Sequence, residues 1–116
     1  MSQAKRVLGA QGEELVARWY RARGYTVVDR NWRCRDGELD LILERDGTIV
    51  FCEVKTRSSS AFGTGLDAVT RVKQLRIRRL AAQWLLTRGP ARRPRQVRFD
   101  VAAVTAEAIE VVEGAF

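Results

Sequence analysis

The chain has 116 residues with 21 basic against 14 acidic side chains, a net charge of +7, two cysteines and no histidine. A length of that order accommodates one domain with a modest core. Without histidine, Ser-His-Asp and Cys-His nucleophiles, His-ligated zinc and an imidazole proton shuttle are excluded, which leaves carboxylates, lysine, arginine, hydroxyls or a metal to carry any chemistry.

Cys34 and Cys52 form no CxxC pair, so a zinc ribbon or a redox dithiol has no support, and both read as idle or buried thiols of a reducing compartment. No apolar run has the length of a signal peptide or a bilayer span, so a soluble cytoplasmic protein is expected.

Leu8, Leu15, Val16, Trp19, Tyr20 and Ala22 recur at helical spacing before Gly24, which predicts an amphipathic helix over residues 9–23. Residues 25–29 read as a first strand. Residues 39–44 and 48–56 alternate on either side of Asp46-Gly47, a strong hairpin turn signal. The stretch 57–65, with three serines and two glycines, reads as a loop, either a plain connector or a cover over substrate. A second helix is expected over 66–87, stopped by Gly89-Pro90, and residues 92–95 form a basic loop. Strands over 97–104 and 108–112 complete the chain, with Val97, Phe99, Val101 and Ala103 on one face. There is no repeat and no dividing linker, so residues 1–116 are expected to form one α/β domain with a mixed sheet packed by helices.

Charge is unevenly distributed. Ten basic residues and no acidic one lie between residues 68 and 99, leaving the remainder of the chain at −3. Such a block attracts polyanions, because neutralising phosphates releases condensed counterions. A basic run is more often a solvated helix face followed by a loop. Set against an acidic remainder, nucleic acid is the better match here, with Arg57, Arg71, Lys73, Arg76, Arg92, Arg93 and Arg95 as contacts. A membrane surface fits less well, since the helix in this block turns its apolar residues toward a core.

The hairpin brings the chemistry together. A two-residue turn at Asp46-Gly47 sets Arg45 opposite Thr48, hence Leu43 opposite Val50, Leu41 opposite Cys52 and Leu39 opposite Val54, an apolar face that supports the register. On the other face Asp40 then meets Glu53, and Glu38 meets Lys55. Like charges directly opposite destabilise a sheet by ~0.2–1 kcal/mol, so something must offset them. A hard divalent cation, Mg²⁺ or Mn²⁺, would do so, since it prefers carboxylates, waters and phosphate oxygens. The bland alternative is a surface network in which Lys55 pairs with Glu38 and Arg57 shields the acids.

On the first helix Glu13 falls about 20° past Tyr20, at the edge of the apolar face, and can reach inward. Glu14 lies further round, where an i,i+4 pair with Arg18 accounts for it. Gly9 and Gly12 fit either a close approach of helix to sheet or an N-terminal cap. On the second helix Lys73 and Gln74 either project toward the charged end of the sheet or mark where the helix leaves the core. Gln74 is the better site residue, since an amide both donates and accepts. Trp19, Trp32 and Trp84 read as packing residues.

The string Gly37-Glu38-Leu39-Asp40-Leu41-Ile42, followed by Phe51-Cys52-Glu53-Val54-Lys55-Thr56-Arg57, resembles the PD-(D/E)xK nuclease signature with its E-x-K half intact. Gly12-Glu13, Arg30-Asn31-Trp32-Arg33, Phe62-Gly63, Lys73-Gln74, Arg98-Phe99-Asp100-Val101 and Ala115-Phe116 resemble the YraN-like family of small bacterial proteins over nearly the whole chain. Leu39 stands where the named motif has proline, a replacement usual for this family that removes no ligand.

The resemblance implies a restriction-endonuclease-like αβββαβ core and divalent-metal-dependent cleavage of phosphodiesters. Asp40, Glu53 and Glu13 would ligate Mg²⁺ or Mn²⁺, and Lys55 would be the catalytic lysine. Gln74 resembles the helix glutamine of nucleases related to RecB. The function so implied is a metal-dependent endonuclease or structure-selective nuclease acting on DNA, with branched DNA among the substrates open to it. The alternative is a non-catalytic nucleic-acid-binding module. Related resolvases act as symmetric pairs, so a homodimer is open, as is docking on a DNA-processing protein.

Overall fold

A computed structural model describes residues 3–57, 69–89, 93–106 and 108–116, with side chains from residue 11 onward. The element order is α1 (Gln3–Arg21), β1 (Thr26–Cys34), β2 (Gly37–Arg45), β3 (Thr48–Thr56), α2 (Arg71–Thr87), β4 (Gln96–Val104) and β5 (Ile109–Val112). The strands form one sheet in the order β1-β2-β3-β4-β5. Only β3 and β4 run parallel, joined by the α2 crossover, while the other neighbours are antiparallel. This is the expected α/β architecture, a helix, three strands, a helix and a strand, with β5 added at one edge.

Both faces of the sheet are covered. Val16, Ala17 and Tyr20 of α1 pack with Leu41, Leu43, Val50 and Cys52. On the opposite face Ile77, Leu80, Ala81 and Trp84 of α2 pack with Ile42, Ile49, Phe51 and Phe99. A strand buried on both sides reads as a continuous apolar run, which is what Ile49-Val50-Phe51-Cys52 shows. Trp84 lies in the core as expected, and Trp19 and Trp32 pack against it at its margins. Among the described residues no helix is long and apolar enough to cross a membrane.

Gly24, at φ +89°, ends α1 in the left-handed conformation open to glycine. The Asp46-Gly47 turn has positive φ at both residues, 51° and 82°, the geometry that matches the twist of a tight hairpin.

Three boundaries differ from expectation. Strand β1 continues past Asp29 to Cys34, through an irregularity between Val27 and Asp29 and a positive φ at Asn31. Helix α2 starts at Arg71 because the Thr70 hydroxyl accepts a hydrogen bond from the Lys73 N–H, capping it there. Val69 and Thr70 are therefore outside the helix, and residues 66–68 lie outside the described residues together with most of the serine-rich loop. Helix α1 begins at Gln3, earlier than residue 9.

The hairpin register holds only in part. Partners run from Arg45↔Thr48 to Leu41↔Cys52 and stop there. Leu39 belongs to the cluster beneath α2 and Val54 packs on the cluster beneath α1, so the expected Leu39–Val54 pair is not formed. The cause is Asp40: its Oδ2 accepts the Val54 N–H at 2.9 Å, so a side chain takes the place of a backbone partner and the strands part.

A second polar feature is structural. Asp100 is 0% exposed, yet its carboxylate accepts hydrogen bonds from Tyr20 Oη at 2.6 Å, Arg98 Nε at 2.8 Å, Arg98 Nη2 at 2.9 Å and the Gly114 N–H at 3.0 Å. Arg98 Nη2 also donates to Tyr25 Oη at 3.0 Å. A buried charge is tolerated when it is paired and its remaining lone pairs are satisfied, and here both conditions are met. The network ties α1, the start of β1 and β4 into one unit. Arg98 is thereby withdrawn from the basic surface.

Candidate active site

The end of the sheet where β2 and β3 part collects acidic side chains from three elements. Gly12 sets the first of these. A Cβ at this position would collide with the Thr56 hydroxyl, so glycine lets α1 lie directly on the end of β3. Glu13, next in the helix, is half-buried at this end, with the Asn31 side chain near enough to favour its charged form. Glu14 points away to Arg18, Arg21 and Arg30, and the hydrogen bond from Arg30 holds its carboxyl below the usual range.

The expected cross-strand pair of Asp40 with Glu53 is not formed, because regular pairing ends at Leu41↔Cys52, yet both side chains lie at this end of the sheet. The Glu53 carboxylate lies close enough for its charge to act on Asp40. Burial, reinforced by the charge of Glu53 and then Glu13, pushes Asp40 up to about 7, against the lowering effect of the Val54 N–H. Burial also raises Glu13, with Glu38 and Glu53 adding to it and Asn31 opposing it. Oxygen atoms of Glu13, Glu38 and Asp40 all lie within 4.8 Å of one another.

Two lysines complete the cluster. Lys73 Nζ stands 2.7 Å from Glu53 Oε1, and Lys55 Nζ stands 3.8 Å from the same oxygen. Burial and then the neighbouring Lys73 lower the Lys55 amine, so it lies closer to the neutral form than an ordinary lysine. For Lys73 burial acts the same way but is outweighed by the close contact with Glu53, and the amine is raised. The first turn of α2 thus projects Lys73 toward the charged end of the sheet.

Glu38 departs from expectation. Its partner is Arg33, at 2.6 Å, and Lys55 pairs with Glu53 instead. The pairing of Glu38 opposite Lys55 fails because regular β2–β3 contact ends at Leu41. Glu38 joins the acidic cluster as a fourth carboxylate that the sequence argument did not include. Asn31 and Arg33 were also not singled out individually. Asn31 was legible in one respect, since asparagine is among the few residues that tolerate a left-handed backbone.

Gln74 is half-buried, and its Nε2 donates to the Val69 carbonyl at 3.1 Å, fastening the segment that enters α2. Arg57 is exposed just beyond Lys55, with its backbone N–H bonded to Val104, and Arg71 and Arg76 are exposed on the first turns of α2. Arg93 and Arg95 lie elsewhere. The Arg95 N–H bonds Gly47 at the hairpin turn, and seven residues of β3 separate that end from Lys55 at ~3.3 Å each, roughly 23 Å in all. Arg92 lies outside the described residues. The basic block therefore divides between the two ends of the sheet.

A mixed sheet between two helices, with four carboxylates and two lysines gathered where its central hairpin opens, defines an α/β protein with a carboxylate–lysine centre. The chain belongs to the YraN-like family: the model of the uncharacterised protein family UPF0102 matches residues 12–104. The UPF0102 protein of Beutenbergia cavernae is 55% identical over 101 residues, covering 87% of this chain and 84% of its own. That of Frankia alni is 53% identical over 102 residues, 88% of this chain and 83% of its own. That of Frankia casuarinae is 47% identical over 118 residues, 97% and 98% of the two chains.

Proposed function

We propose that the protein is a divalent-metal-dependent nuclease that hydrolyses DNA phosphodiester bonds, with branched DNA as its substrate class. The observation that carries this reading is the gathering of Asp40 with Glu13 and Glu38 beside the ion pairs of Glu53 with Lys55 and Lys73. Carboxylate oxygens are the donors that Mg²⁺ and Mn²⁺ prefer, and Glu13, Glu38 and Asp40, whose oxygens lie within 4.8 Å of one another, fit such an ion. Asp40, Glu53 and Glu13 would hold it, with Glu38 as a further oxygen donor. When bound, the ion supplies charge neutralisation at the scissile phosphate and a water of lowered pKa.

The chain's own residues supply the rest. Lys55, with its lowered amine, orients an attacking water and accepts a hydrogen bond or proton from it at Nζ. Lys73, which stays charged, holds Glu53 in place and faces the charge that develops on the phosphoryl oxygens. Arg57, Arg71 and Arg76 present exposed guanidiniums at the same end of the sheet for the flanking phosphates.

The test is cleavage of branched and flapped duplexes with Mg²⁺ or Mn²⁺ by purified protein beside Lys55→Ala and Asp40→Asn. Both variants are expected to lose activity by at least about 100-fold. Cleavage that persists in both belongs to a contaminant and ends the proposal.

One observation favours a second reading. Glu53 is already ion-paired with Lys73 and Lys55, an arrangement that also suits a non-catalytic nucleic-acid-binding module. Such a module binds DNA in a salt-sensitive manner, without dependence on metal or on Lys55.

A further inference from the structure

At the end of the sheet opposite the carboxylates, the last turns of α2 and the segment entering β4 leave a groove. One half, a cavity of about 720 Å³, is walled by Leu85, Leu86 and Val97. The other half, about 510 Å³, is floored by Val28 and Ile49. Arg93, Pro94 and Arg95 line both halves, so the two form one continuous depression. Leu86 is 87% exposed and Val28 44% exposed, large apolar side chains left facing water.

The rim is basic. Among the described residues of the lining, Arg88, Arg93 and Arg95 stand against one acid, Glu44, which already accepts the Gly47 N–H at 3.3 Å. Among the described residues Arg93 and Arg95 form no ion pair, and Arg88 reaches Asp29 only at 3.9 Å with its side chain 61% exposed. An apolar floor beneath Arg93 and Arg95, with the exposed Arg88 beside them, is complementary to apolar side chains flanked by carboxylates.

We propose that this groove docks an acidic, apolar peptide segment of a partner protein: bulky side chains enter between Leu86 and Val28, and flanking Asp or Glu residues pair with Arg88, Arg93 and Arg95. Nucleic acid is the poorer occupant. Phosphates would engage the arginines but leave an aliphatic floor to the bases, and among the described residues the groove's lining offers no aromatic ring for them to stack on. A peptide bound there sits roughly 23 Å, along β3, from the carboxylate cluster, so the proposal stands or falls independently of the nuclease reading.

The test is a displayed library of short random peptides selected on the full chain, with the Leu86→Asp/Arg93→Glu double variant as counter-selection. Both side chains are exposed, so the variant is expected to keep its circular dichroism spectrum and melting temperature. Enriched peptides should combine acidic with bulky apolar residues, and should bind the variant at least about tenfold more weakly by fluorescence anisotropy. Enrichment of basic or purely acidic peptides would overturn the proposal, as would equal binding to the variant. So would an oligonucleotide whose own affinity falls in the variant and which displaces the peptide, since the groove would then belong to nucleic acid.

Discussion

Lys73 Nζ lies 2.7 Å from Glu53 Oε1, closer than the 3.8 Å of Lys55, so the acid of the E-x-K string is gripped from the helix rather than from its own strand. Lys73→Met should therefore reduce cleavage by about 10–100-fold, the usual effect of losing a residue that orients a ligand. It should also move the pH profile. Lys55 is lowered by burial and by Lys73, so removing the Lys73 charge raises the Lys55 amine. A step that needs neutral Lys55 then shifts to higher pH, which pH–rate profiles of the variant and the unaltered protein will show.

Asp40 makes a prediction about stability without metal. Its folded-state pKa is raised to about 7 from an ordinary value of 3.8, so between those values the folded state holds more protons than the unfolded state. Stability contributed by this site is present at low pH and is lost as pH rises toward and through 7. Asp40→Asn keeps an oxygen for the Val54 N–H and an amide donor for Glu53 but carries no charge. In chelator at pH 8 it should be more stable than the unaltered protein by roughly 1–3 kcal/mol, with little difference at pH 4, in urea unfolding curves.

Gly12→Ala separates helix propensity from packing. Alanine favours a helix interior by ~1 kcal/mol over glycine. Here, however, its methyl would strike the Thr56 hydroxyl, and overpacking costs about 1–3 kcal/mol. The variant should melt lower and cleave more slowly through displacement of Glu13. Adding Thr56→Ala should restore both, measured by thermal unfolding and by rate.

The buried Asp100 network is expected to govern stability and not nucleic-acid affinity. Tyr20→Phe removes one hydrogen bond to a charged acceptor, for about 1.5–3 kcal/mol. Asp100→Ala leaves Arg98 and Tyr20 without their acceptor and should cost about 3–5 kcal/mol. Chemical denaturation checks both values, and DNA binding by the Tyr20→Phe variant below its melting temperature should be unchanged.

Much of this architecture was legible from periodicity. The order of elements, the Asp46-Gly47 hairpin and the inward reach of Glu13 follow from spacing and turn chemistry, whereas the expected Asp40–Glu53 ladder pair does not form. The departures share a physical cause, since each depends on a side chain bonding to a group distant in sequence or to backbone. Asp40 takes the Val54 N–H and ends the ladder, so Glu38 turns to Arg33 and the acidic cluster. Thr70 caps α2 and delays its start, a signal its residue type carries but apolar periodicity does not. Arg98 stood within a basic run, and nothing local revealed that Asp100, two residues on and on the same face of β4, would bury it in a network with two tyrosines.

The most direct test of the central claim is calorimetric titration of Mg²⁺ and Mn²⁺ into the chelator-stripped protein and into Asp40→Asn and Glu53→Gln at pH 8. One saturable site, weakened at least about tenfold in each variant and weakened in the unaltered protein as pH falls below 7, is the expected result. No saturable binding, or equal binding in all three proteins, would contradict it.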